Sequence, residues 1–105
     1  MSKKLSPIHP GEQLREEFMI PLGLSSNALA RALNVTPAGI NEIARGRRGI
    51  SADTVLRLAR FFDTSHQFWL NLQSNYDVQC AEDLAGKLIA DIKPWAGSVR
   101  YEAIA

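Results

Sequence analysis

Three arginines stand within four residues at Arg45, Arg47 and Arg48, interleaved with Gly46 and Gly49. A guanidinium pairs with a phosphate through two parallel N–H···O bonds, and glycine lets backbone amides approach the same anion. Upstream, Thr36, Pro37, Ala38 and Asn41 offer a different chemistry. An asparagine amide matches N6 and N7 of adenine, and an alanine methyl suits the methyl of thymine. Glu42 sits among them as an acid that phosphates would repel. Its favoured reading is a solvated surface residue, its one base-edge use being to accept from a cytosine amine. The chemistry offered by residues 36–48 is thus that of duplex DNA, with backbone contacts from a basic loop and base contacts from the helix before it.

Catalytic chemistry finds no comparable grouping. His9 and His66 are far apart in sequence, and no Cys/His spacing matches a zinc site. Glu16–Glu17 and Glu82–Asp83 are adjacent pairs, so their members point in different directions around a helix. Cys80 is the single cysteine, which excludes an intramolecular disulfide and reads as a packed thiol. His9–Pro10 reads as a helix entry, and Phe68 and Trp69 as core aromatics. Trp95, beside Pro94, suits either packing or a partner. No enzyme, metal or cofactor is expected.

The net charge of +1 says little, but its distribution says more. Residues 26–60 carry six arginines against Glu42 and Asp53, whereas residues 61–105 carry more acids than bases. A basic centre suits a polyanion and an acidic tail suits something else. The opening Met1–Leu5 has charge without a following apolar run, and no stretch is long enough to cross a bilayer. The expectation is a cytoplasmic, membrane-free protein, and 105 residues fit one compact domain.

The residues that would touch DNA must be held by helices, since no period-2 run of β-branched residues suggests a strand. Pro10 suits a first helical position, Leu14 and Phe18 share a face, and Pro21 and Gly23 end the helix. Ser25 or Ser26 caps a second helix lined by Leu29, Ala30 and Leu33, and Asn34 tolerates the left-handed backbone that ends it. Thr36 and Pro37 begin a third helix with Ile40 and Ile43 inward and Gly46 after its end. Ser51 caps a fourth with Val55, Leu58, Ala59 and Phe62 on one face. Thr64 or Ser65 opens a fifth carrying Phe68, Trp69, Leu72 and Tyr76. A further amphipathic stretch from Glu82 to Ala90 places Leu84 and Leu88 one turn apart, before Pro94 and Gly97 break order and leave a mobile end. A small residue at Ala30, a left-handed residue four positions on and two inward apolar residues three apart are the spacing of a helix-turn-helix. Arg57 and Arg60 read as solvated residues of the fourth helix.

Beyond these spacings, HPGEQLREEF, PLGLS with NALARALNV, TPAGINEIARGRRGISADTVLRLARFF and TSHQFWLNLQ with YD closely resemble the HigA-type antitoxins, the virulence-associated protein I family. These belong to the Xre-like, or lambda repressor-like, helix-turn-helix class. The resemblance runs from His9 to Asp77, with Asn34 in place of the commoner glycine. It implies an all-α fold, a five-helix lambda repressor-like domain over residues 1–80, with a C-terminal extension at 81–105 that is partly helical and then mobile. It implies a homodimer that binds double-stranded operator DNA, represses its own operon and neutralises a HigB-type, RNA-cleaving toxin of RelE-like fold. The recognition positions would be Thr36, Ala38, Asn41 and Arg45, flanked by Arg47 and Arg48. The residues from Tyr76 to Ile92 are expected at the dimer interface. The alternatives are a stand-alone transcriptional regulator without a toxin and, from another class, a helical adaptor whose basic loop is incidental.

Overall fold

The computed structural model describes residues 6–96, and among them every regular element is helical. Helix α1 spans Pro10–Leu14 and passes into a π-helical turn at Arg15–Met19; α2 is Ser26–Leu33, α3 Pro37–Ala44, α4 Ala52–Phe62 and α5 His66–Ala90.

The starts follow the side chains that can accept from free N–H groups. Ser25 Oγ accepts from Ala28 N–H at 3.0 Å, Thr36 Oγ1 from Gly39 N–H at 3.2 Å and Ser65 Oγ from Phe68 N–H at 3.1 Å. His9 opens α1 in the same way, its Nδ1 accepting from Gly11 N–H at 2.9 Å. Where two residues competed for the cap, Ser25 and Ser65 take it. Thr64 instead accepts a 2.7 Å bond from Trp69 Nε1, which gives the buried indole its partner.

Four of the ends share one device. Gly23, Asn34, Gly46 and Asp63 adopt left-handed backbone at φ 65°, 60°, 75° and 55°. The following N–H groups of Leu24, Val35, Arg47 and Thr64 then turn back to the carbonyls of Met19, Ala30, Glu42 and Ala59 at 2.8–3.0 Å. The first helix departs from a plain α-helix ended at Pro21. Ile20 N–H bonds Arg15 O at 2.9 Å, a five-residue return. The wider turn brings Met19 onto the same buried side as Leu14.

Leu14, Leu29, Ile40, Val55, Leu58 and Trp69 form the centre of the core. Phe18 packs beside it with its ring centroid 4.9 Å from Trp69 and 4.7 Å from Phe62. The expected separate stretch at Glu82–Ala90 joins the fifth helix across a kink: α5 spans His66–Ala90, and Ala85 breaks its helical backbone at φ −135°, ψ 18°. Its near half packs on the core through Trp69 and Leu72. Its far half leaves the body, with Leu84 88% and Leu88 72% exposed. The molecule is accordingly elongated, 54 Å in its longest dimension. Gly97 and the last residues, where a mobile end was expected, lie outside the described residues.

Candidate nucleic-acid interface

The α2–α3 corner is built from both ends. Ala30 is fully buried in the crossing, and Leu29 and Leu33 pack beside it against Ile40 and Ile43. The C-terminus of α2 is closed by Arg57, contrary to the expectation that this side chain is merely solvated. Arg57 Nη1 donates to Leu33 O at 2.8 Å and Asn34 O at 3.3 Å, while Nε holds Asp53 Oδ2 at 2.8 Å. The C-terminus of α3 is closed similarly by Arg15, whose Nη1 donates to Ala44 O at 2.5 Å. A positive group at the negative end of each helix dipole is the favourable arrangement. Gly11 lies so close to the Ile43 carbonyl that no Cβ fits there, which fixes α1 against α3.

The basic loop is held from the other side. Gln73 Oε1 on α5 accepts from Ile50 N–H at 2.7 Å, and Gln73 Nε2 donates to Asp77 Oδ1 at 3.0 Å. Ile50 is buried beneath the loop. The His9 ring lies against Gly46, where a Cβ would stand 3.6 Å from its Cγ, and meets Tyr76 edge-on at 4.8 Å. Burial lowers the His9 pKa below its ordinary value, with the Asp77 carboxylate partly opposing that shift.

With the inner side fixed, α3 presents Ala38, Asn41, Glu42 and Arg45 outward, all exposed. On one flank Ala38 and Asn41 share a shallow cavity of about 300 Å³ with Ser25, Ser26 and Asn27 at the start of α2. On the other flank Arg48 Nη2 and Glu42 Oε1 form an ion pair at 2.9 Å. Arg31, Arg45, Arg47 and Arg60 form no ion pair with another described residue. The surface is therefore a polar helix face with free arginines beside it. No group of three His, Cys, Asp or Glu among the described residues is arranged to hold a metal.

All six residues singled out in the sequence are exposed around this one corner. Thr36 also spends its hydroxyl oxygen on capping α3. Arg48 turns back onto α3 to pair with Glu42, while Arg47 has no ionic partner among the described residues. Sequence reasoning missed the Ser25–Asn27 edge, although consecutive polar residues at a helix start signal exposed amides. It also missed Arg15, Arg57 and Gln73, whose partners are backbone groups at least 23 positions away and leave no local trace.

A helix-turn-helix family pattern covers residues 13–69, more than half of the chain. The antitoxin HigA of Pseudomonas aeruginosa, solved with the higBA promoter, is 54% identical; the likeness covers 84% of this chain and 97% of that one, with a TM-score of 0.81. The chain belongs to the HigA-type helix-turn-helix family. Another solved structure, the antitoxin GraA in complex with its operator, is 45% identical; the likeness covers 92% of this chain and 99% of that one, again with a TM-score of 0.81. Virulence-associated protein I of Dichelobacter nodosus is 57% identical over 79 residues, 75% of this chain and 73% of its own length. The HigA-type resemblance seen in the sequence therefore holds for family and fold. Among the described residues no helix is long and apolar enough to cross a membrane.

Proposed function

We propose that this chain is a cytoplasmic, DNA-binding antitoxin that acts by binding rather than catalysis. As a homodimer it represses its own operon, and it neutralises a HigB-type, RNA-cleaving toxin. The observation that carries the DNA half is the corner itself: a rigidly capped α3 with an exposed polar face, beside the open start of α2 and free arginines. In this reading α3 enters the major groove, and Thr36, Ala38, Asn41 and Arg45 approach base edges there. Arg47 and the first amides of α2 meet phosphates on either side. Residues 1–80 act as the DNA-binding unit and residues 81–105 as its extension. The toxin half is supported by kinship with HigA-type antitoxins.

Two measurements test it. Titration against a duplex from the chain's own promoter should give tight binding that weakens steeply with salt, as counterion release requires. Purification from the native operon, followed by mass analysis, should recover a second, small protein. Promoter binding without any companion would leave a stand-alone regulator. Equal, weak binding to promoter and random DNA would leave a helical adaptor.

A further inference from the structure

Glu42 is an acid on the face that would approach a polyanion, and the structure gives it a partner. Its Oε1 is 2.9 Å from Arg48 Nη2, and both side chains are about half exposed, at 48% and 57%. Arg48 reaches it by lying back along α3. A methyl on Gly39 would stand 3.3 Å from Arg48 Nη1 and 3.2 Å from Thr36 Oγ1. Gly39 has ordinary helical backbone, since it is absent from the positive-φ residues. A glycine inside a helix is destabilising relative to alanine. Here its missing side chain leaves the seat that the guanidinium occupies, one turn before the carboxylate that the guanidinium holds. Gly39, Glu42 and Arg48 thus form one arrangement on the flank of α3 opposite Asn41.

From this arrangement we infer that Glu42 and Arg48 act as a single base-reading unit, resting on the DNA-binding role proposed above. The chemistry is specific. A guanidinium carries five N–H donors, and an ion pair with Glu42 through Nη2 leaves donors on its other edge for a phosphate. The phosphate and the carboxylate are both anions, and Arg48 between them removes the repulsion that would otherwise expel Glu42 from the groove. The second carboxylate oxygen, Oε2, then accepts from an exocyclic base amine, the N4 amine of cytosine being the partner that a glutamate matches. Glu42 specifies, and Arg48 is its positioning residue.

The test is selection of sequences from a pool of randomised duplexes by the full-length wild type, Glu42→Ala, Arg48→Ala and Gly39→Ala, with melting curves and salt series for each. The wild type should prefer cytosine at one position per half-site. Glu42→Ala should lose that preference alone, by roughly ten- to a hundredfold for one hydrogen bond to a charged acceptor. Arg48→Ala should lose the same preference and also lower the salt slope by about one. Gly39→Ala fills the seat and should weaken the same preference without lowering the melting temperature, which separates reading from folding. The unit is overturned if Glu42→Ala tightens binding to every sequence equally, since the acid is then only a counter-ion. It is equally overturned if Arg48→Ala leaves the cytosine preference intact. A wild type that enriches no sequence overturns the DNA-binding reading beneath it, and is distinguishable because no variant is then needed to see it.

Discussion

Arg57 on α4 donates from Nη1 to the carbonyl oxygen of Leu33 at 2.8 Å, closing the end of α2 where the chain turns into α3. The same guanidinium is tied to Asp53 one turn earlier on its own helix, so its direction is fixed before it reaches α2. Arg57→Ala should destabilise the fold by about 1–2 kcal/mol, the range for a hydrogen bond to a charged group reduced by partial exposure. Arg57→Lys should recover only part, because an ammonium cannot hold both groups with a planar fork. Thermal melting reads both, and unchanged melting in Arg57→Ala would show that the cap contributes nothing.

Ala30 has no exposed surface where α2 and α3 cross. Ala30→Leu should overpack the crossing at roughly 1–3 kcal/mol, and promoter affinity should fall with the melting temperature. An unchanged melting curve would mean that the two helices have room there.

Arg47 and Asn41 should fail differently. Arg47 lies beyond the left-handed Gly46, outside α3 and without an ionic partner among the described residues. Arg47→Ala should weaken promoter and random DNA alike and lower the salt slope by about one. Asn41→Ala should cost about 1–3 kcal/mol of discrimination and leave the slope nearly intact. Measuring both variants on both duplexes across salt separates them. Swapped outcomes would put the wrong side of the corner in the groove.

His9 should give the fold a pH dependence. Its folded pKa is depressed below 6.5, chiefly by burial, and its Nδ1 serves as an acceptor that protonation removes. Above pH 6.5 the ring is neutral in both states, so its contribution is fully present. As pH falls through and below that value the unfolded chain takes up the proton first, and stability declines towards the folded pKa. His9→Asn retains a helix-capping acceptor without titrating. Its melting temperature should fall less than that of the wild type between neutral and mildly acid pH. Parallel curves would assign the slope to other groups.

The bare far half of α5 should hold the dimer. Glu replacing both Leu84 and Leu88 should give a monomer by light scattering while the core, which they do not touch, melts almost as before. A double variant that remains dimeric places the interface elsewhere.

Much of this was legible because caps and short-range periodicity are local. Thr36, Pro37 and the inward Ile40 and Ile43 located α3, and Asn34 announced its left-handed turn. Asp63 performs the same role at the end of α4 and passed unnoticed, since aspartate is common enough on surfaces to carry no signal alone. The π-helical turn at Arg15 was invisible for another reason: Pro21 and Gly23 predict an ending without predicting how the residues before it wind. The pairing of Arg48 with Glu42 left no trace in the sequence, where Arg48 stands beside Arg47 in one basic loop. A three-dimensional fold-back onto Glu42, seated at Gly39, is a property of the closed loop and not of composition. The continuity of α5 was hidden because its buried stripe stops at the core while the backbone continues.

That continuity makes α5 a ruler with a thread. Up to the kink, its residues 66–84 measure about 28 Å at 1.5 Å each. Each residue also turns the far end by about 100° relative to the near end. Separation and azimuth are therefore locked together between the core and Leu84, and the kink at Ala85 resets both beyond it. For a dimer joined through that far end, the distance between two α3 helices and the angle at which they face the duplex are not independently adjustable. A change in helix length can preserve the facing of the two reading surfaces only in whole turns, so the permitted spacings between half-sites form a ladder and not a continuum.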